Sequence, residues 1–229
     1  MPALSQLSNL GKSSVTIVAL GDSLTGGFIA PSPPSFYVRE HPYTNDLTSM
    51  IDEWISKSRA CLDCTLYNLG VNGDTTRGML SRFGQQVAPL EPDYVIVWGG
   101  INDLFGANRP PDILRNLIRL YDTVREVGAV PIGCTVTSVL GFEPLLQGID
   151  ELNAMLRTHC ETEDIVLVDL FRATSDASGK LRQDYTSDGV HLNAEGYSRI
   201  ASTIFEGAVV PILSSLSDQA CSGATGSRR

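Results

Sequence analysis

The sequence predicts an α/β fold of three layers, a parallel sheet between two layers of helices. Three observations carry this. Apolar runs without alternation recur at residues 15–20, 93–98 and 129–136, the pattern of strands buried on both faces. Helical periodicity separates them. Strand and helix alternate five times over 229 residues with no repeat, linker or composition break, so the chain reads as one domain.

Residues 1–14 read as a short arm. Its Gly11-Lys12-Ser13 lacks the upstream glycine of a phosphate loop, because Gln6 stands there, and it precedes a strand instead of following one. The first strand, 15–20, ends at Gly21-Asp22-Ser23-Leu24. Segment 29–42 carries Pro31, Pro33, Pro34 and Pro42, which exclude regular helix. Phe28, Phe36 and Tyr37 make it apolar enough to fold over a pocket, or to pack on itself as a surface loop. Residues 43–58 predict a helix, with Leu47, Met50, Ile51, Trp54 and Ile55 at helical spacing as its core face.

The second strand, 65–69, runs into Gly70-Val71-Asn72-Gly73-Asp74-Thr75, and a helix over 76–87 ends before Pro89. The third strand, 93–98, runs into Gly99-Gly100-Ile101-Asn102-Asp103. Pro110 and Pro111 open a helix that Gly128 stops. A fourth strand over 129–136, a helix over 147–160 and a fifth strand over 165–170 follow. An irregular polar segment then holds Gly179 and Ser187-Asp188-Gly189-Val190-His191. Asn193 caps a last helix from 194 to near Pro211, and 214–229 read as a frayed tail.

A formal net charge of −9 argues against nucleic acid or an anionic membrane as partner. No apolar run is read as a membrane span. The early run 15–20 is too short for a signal core, and no N-glycosylation sequon occurs. These readings point to a cytoplasmic protein. The five cysteines are an odd number. Cys61 and Cys64 form a C-x-x-C that leads into a strand and has no second pair, so they read as structural or surface thiols. No metal and no cofactor is called for.

The chemistry collects at one edge. Ser23, Gly73, Asn102, Asp188 and His191 each follow the carboxyl end of a strand, where open α/β sheets bind ligands. A serine hydroxyl needs a base to become a nucleophile. Of three histidines, His41 abuts Pro42, His159 lies in a helical pattern, and His191 stands three residues after a carboxylate. Asp188 can therefore orient the His191 imidazole, or serve only as a helix cap. The amide of Ser23, the amide of Gly73 and the carboxamide of Asn102 are suitable oxyanion donors. Gly73 and Asn102 also suit ordinary turns.

Gly21-Asp22-Ser23-Leu24, Gly73, Gly100-Ile101-Asn102-Asp103 and Asp188-Gly189-Val190-His191 resemble, in order, the four blocks of the SGNH hydrolase family, also called GDSL esterases and lipases. The resemblance covers the chain from the first strand to the last helix. It implies a five-stranded, flavodoxin-like sheet. It also implies Ser23 as nucleophile, Gly73 and Asn102 as oxyanion donors, His191 as base, Asp188 as its partner, and ester hydrolysis without a metal. The proline-rich segment after the first block departs from compact members. Thr25 stands where the nucleophile elbow G-x-S-x-G requires glycine, so the chain does not read as an α/β-hydrolase. The expected function is a serine esterase acting on a small-molecule ester. A carbohydrate O-deacetylase, or a binding domain that kept the pocket without turnover, are the alternatives.

Overall fold

The structure, a computed structural model, describes residues 13–31 and 37–225. Five parallel strands form the sheet: β1 (Ser14–Gly21), β2 (Asp63–Gly70), β3 (Tyr94–Trp98), β4 (Val130–Cys134) and β5 (Val166–Val168). Their order is β2-β1-β3-β4-β5, the flavodoxin-like order in which the chain reverses direction across the sheet beside β1. In register, Gly21 lies level with Gly70 on one side and Trp98 on the other.

Burial explains the sequence pattern. Ile17, Val18, Ala19 and Leu20 of β1 and every residue of β3 are buried, because helices cover both faces. Strand β2 lies at the edge and is largely exposed. Helices α2 (Tyr43–Ser58) and α8 (Ala194–Ile204) pack together, while α3 (Thr76–Gln86), α5 (Pro110–Glu126) and α6 (Leu146–Thr162) form the second group.

Several expectations change. On α2 only Leu47 and Ile51 of the five expected core positions are fully buried; Met50, Trp54 and Ile55 pack partly buried against the core. Residues Phe28–Ile29 pair with Arg39–Glu40 as a two-stranded ribbon instead of a loop. Tyr37 is 82 % exposed, so it covers no pocket, and Phe36 lies outside the described residues. The arm also lies outside them up to Lys12, and Ser14 already belongs to β1. The fifth strand is only three residues long, because Asp169 accepts from the Arg172 amide and caps a short helix, α7 (Leu170–Thr174). Two further short helices, α1 (Ser23–Gly26) and α4 (Ile101–Phe105), stand where turns were expected.

The C-terminal reading is corrected most. Helix α8 does not stop near Pro211. It widens into a π turn at Phe205–Val209 and continues as α9 (Val210–Thr225), through the stretch read as a frayed tail. A π turn displaces the carbonyl that the ring of Pro211 would meet, so the chain stays helical. Residues 226–229 lie outside the described span. The united segment Ala194–Ser217 is long enough to cross a membrane and contains an 18-residue window apolar enough to do so, with a mean hydropathy of 1.5. Ending the helix near Pro211 hid this. Tyr197, Ile200, Ala201, Ile204, Val209, Ile212 and Leu213 are buried in the protein core, which accounts for much of that apolarity.

Candidate active site

Strand β1 ends at Gly21, and Asp22 then caps α1 by accepting from the Leu24 amide at 2.9 Å. This cap places Ser23 at the first position of α1, and its side chain is nearly buried. Ser23 Oγ lies 3.1 Å from His191 Nε2, and His191 Nδ1 lies 2.7 Å from Asp188 Oδ2. Ser23, His191 and Asp188 thus form one line of hydrogen bonds across segments 168 residues apart.

The loop bearing Asp188 and His191 is folded around the carboxylate. Asp188 Oδ1 accepts from the Val190 amide at 3.0 Å and the His191 amide at 2.8 Å. Thr186 Oγ1 accepts from the Gly189 amide and donates to the His191 carbonyl. Gly189 has φ +85, and a Cβ there would stand 2.0 Å from the Leu140 carbonyl oxygen. That carbonyl's residue in turn donates its amide to Gly189 O at 2.8 Å, so only glycine fits this approach. Asn193, not Asp188, caps α8, accepting from the Gly196 amide.

Partial burial raises the Asp188 carboxyl, but hydrogen bonds from the His191 ring and the Val190 and His191 amides outweigh it and hold it at about 2. Asp188 is therefore a carboxylate at neutral pH, and His191 Nδ1 carries the shared proton. Nε2 then presents its lone pair to Ser23. The Phe28 ring packs against the imidazole at an inclined, edge-type angle, with centroids 4.6 Å apart, and the Tyr197 hydroxyl donates to the Phe28 carbonyl. Of the three aromatics expected to cover a pocket, Phe28 alone is seen against the site.

The other two segments leave the strands on either side of β1 and meet each other. Asn102, in the first turn of α4, donates from Nδ2 to the Asp74 carbonyl at 2.9 Å. Among the described residues no second acceptor for Nδ2 is seen. Gly73, one residue before Asp74, has φ +75 and no heavy atom within 4 Å of the place a Cβ would take, so its outer side is open. Asp103 accepts from the Thr76 amide at 2.9 Å and hydroxyl at 2.8 Å, which locks α4 to the start of α3. Burial raises its carboxyl, and the two bonds from Thr76 oppose that.

Residues that the motif reading did not single out also belong here. Asp22 is fully buried, its Oδ2 has no hydrogen-bond partner among the described residues, and burial pushes its carboxyl to about 7. The Leu24 amide and His191 pull it down, while Asp74 and Asp103 add to the rise. A partly buried Arg82 reaches the same region. Neither carries a signal beyond its place in the chain: Asp22 sits inside a motif credited to its serine, and Arg82 is one cation in an amphipathic helix.

The remaining histidines are elsewhere. His41 Nε2 lies 3.2 Å from Asp46 Oδ2, and His159 stacks on Tyr121. Cys61 and Cys64 are free thiols, Cys64 lies at the start of β2, and burial raises its thiol to about 12. Among the described residues, no three His, Cys, Asp or Glu side chains gather as metal ligands.

The sequence profile of the GDSL-like Lipase/Acylhydrolase family matches residues 19–199. The chain belongs to that family. An arylesterase of Vibrio mimicus is 28 % identical over 123 residues, which are 54 % of this chain and 55 % of that protein. The chain thus matches about half the length of that relative. Among solved structures, an acetylxylan esterase of Geobacillus stearothermophilus superposes with a TM-score of 0.70 at 19 % identity, covering 86 % of this chain and 95 % of that one. A lipase/acylhydrolase of Enterococcus faecalis gives 0.65 at 24 % identity, over 84 % and 94 %. At these identities the structural likenesses establish the GDSL hydrolase fold.

Proposed function

We propose that this GDSL-family protein is a serine esterase that forms an acyl-enzyme on Ser23. The observation that carries the reading is the line from Ser23 Oγ to His191 Nε2 to the Asp188 carboxylate, at 3.1 and 2.7 Å. His191 takes the hydroxyl proton as Ser23 attacks the ester carbonyl, and Asp188 stabilises the resulting imidazolium. The tetrahedral oxyanion is received by the Ser23 amide, the Gly73 amide and the second Nδ2 proton of Asn102. His191 returns its proton to the departing alcohol. A water deprotonated by His191 then attacks the acyl carbon and frees Ser23.

The family membership and the arylesterase name of the Vibrio mimicus relative support ester hydrolysis in general and make aryl esters the first substrates to try. One observation favours a second reading, removal of acyl groups from a sugar. A groove of about 540 Å³ beside α1 is lined by Glu40, Thr44, Asn45, Asn68 and Asn72, side chains suited to hydroxyl groups. The test is a panel of nitrophenyl esters of increasing acyl length set beside acetylated sugars, run on the parent and on Ser23→Ala. Turnover of at least one substrate, lowered by roughly 10³ or more in Ser23→Ala, is the expected result. The preferred substrate separates the two readings. Equal rates in parent and variant overturn both.

A further inference from the structure

The guanidinium of Arg82, in the second half of α3, is inside the protein, with its side chain only 12 % exposed. It holds four acceptors. Nε donates to Asp74 Oδ2 at 2.7 Å, Nη2 to the Gly21 carbonyl at 2.9 Å and the Leu69 carbonyl at 2.8 Å, and Nη1 to Gln86 Oε1 at 3.0 Å. Gly21 is the last residue of β1, two before Ser23. Leu69 is near the end of β2. Asp74 follows Gly73, and its carbonyl accepts from Asn102 Nδ2. One planar cation therefore grips the ends of two neighbouring strands and the turn that joins Gly73 to Asn102.

The choice of arginine fits this task. Its five donors leave one rigid plane in fixed directions, whereas lysine offers a point charge on a flexible stem. The Asp74 carboxylate is partly buried too, at 10 % exposure, and an ion pair taken largely out of water is a poor source of net stability. What it supplies is placement.

We propose that Arg82 is a positioning residue that fixes the three oxyanion donors relative to one another: the Ser23 amide through Gly21, the Gly73 amide through Asp74, and the Asn102 carboxamide through the Asp74 carbonyl. The inference rests on the serine-esterase reading above. Arg82 touches no reacting atom. Its effect belongs to the transition state, where the oxyanion exists, and not to the bound ester.

The test measures kcat, KM and Tm on the best nitrophenyl ester for the parent, Arg82→Lys, Arg82→Ala, Asn102→Ala and the Arg82→Ala/Asn102→Ala double variant. Asn102→Ala is expected to lose on the order of 10²–10³ in kcat with KM nearly unchanged. Arg82→Lys, the variant that keeps the charge, is expected to fold and to lose on the order of 10²-fold in kcat with KM within about two-fold, the cost of displaced donors. Millimolar methylguanidinium should restore part of the turnover of Arg82→Ala and leave the parent unaffected. In the Asn102→Ala background, removing Arg82 should cost several-fold less than in the parent, because the two act on one structure. Parent-like kcat in Arg82→Lys, or fully additive losses in the double variant, overturns the proposal. If Arg82→Ala does not fold, Arg82→Lys decides alone. A parent whose turnover survives Ser23→Ala defeats the esterase reading itself, and a Ser23-dependent parent with an indifferent Arg82 defeats only this inference.

Discussion

Asp22 sits between a backbone that needs it and a core that disfavours its charge. Its Oδ1 caps α1 and so holds Ser23 in place, while its Oδ2 lies unpartnered in the core. Folding raises its carboxyl from an ordinary 3.8 to about 7, chiefly through burial. Across that pH range the folded protein keeps a proton that the unfolded chain has released. The stability this group contributes is full below the lower value and is lost as pH rises through the upper one. Asp22→Asn can keep the cap without the charge. Its Tm is therefore expected to match or trail the parent at pH 5 and to gain on it by several degrees at pH 8, at about 2–4 °C per kcal/mol for a chain of this size. Thermal melts across pH check this, and parallel curves for the two proteins contradict it. At this scale the sequence singled out Ser23, Gly73, Asn102, Asp188 and His191 by their common place beyond predicted strand ends, although Gly73, Asn102 and Asp188 each also suit a turn or a cap. Arg82, Asp103 and Thr186 were not legible, since their roles arise from neighbours distant in sequence.

Three segments at the site follow strand ends and the fourth is an irregular loop before α8, and each has a device that stops the chain from wandering. Ser23 has the Asp22 cap, Asn102 donates to the Asp74 carbonyl one residue after Gly73, and Asp188 gathers its own loop around one oxygen. The last device depends on Gly189 meeting Leu140. Gly189→Ala must leave φ +85 and push its Cβ away from a carbonyl only 2.0 Å distant. The left-handed conformation alone costs roughly 1–2 kcal/mol, and the clash adds to it. The variant is expected to melt several degrees lower and, in its folded fraction, to turn over at least ten-fold more slowly as Asp188 and His191 lose their alignment. Unchanged turnover per folded molecule contradicts that view of the loop. The long helices up to Ile204 were legible from periodicity and the strands of the sheet chiefly from unbroken apolar runs. Helices α1, α4 and α7 were not, because four or five residues are too few to show a helical period. The continuation past Pro211 was hidden because proline marks a helix end unless a wider turn precedes it.

Across the whole molecule, the strand order brings distant segments to one edge. Strand β1 lies between β2 and β3, so Ser23, Gly73 and Asn102 leave three adjacent strands side by side. Strand β5 stands at the opposite edge, and the chain after it must return to the centre to deliver Asp188 and His191. It does so along the segment after β4, through Leu181 N to the Val139 carbonyl and Leu140 N to the Gly189 carbonyl. Helix α8 then packs on α2 near the ribbon that holds Phe28 against His191. The alternation of elements in the sequence announced a parallel sheet, but the return path had no sequence signal, since it depends on backbone bonds between irregular segments. On the proposed reading this convergence makes Ser23 a nucleophile. Mass spectrometry after treatment with a fluorophosphonate is then expected to find one adduct per chain, on Ser23, absent in Ser23→Ala; an adduct on another residue, or undiminished labelling of the Ser23→Ala protein, overturns that reading.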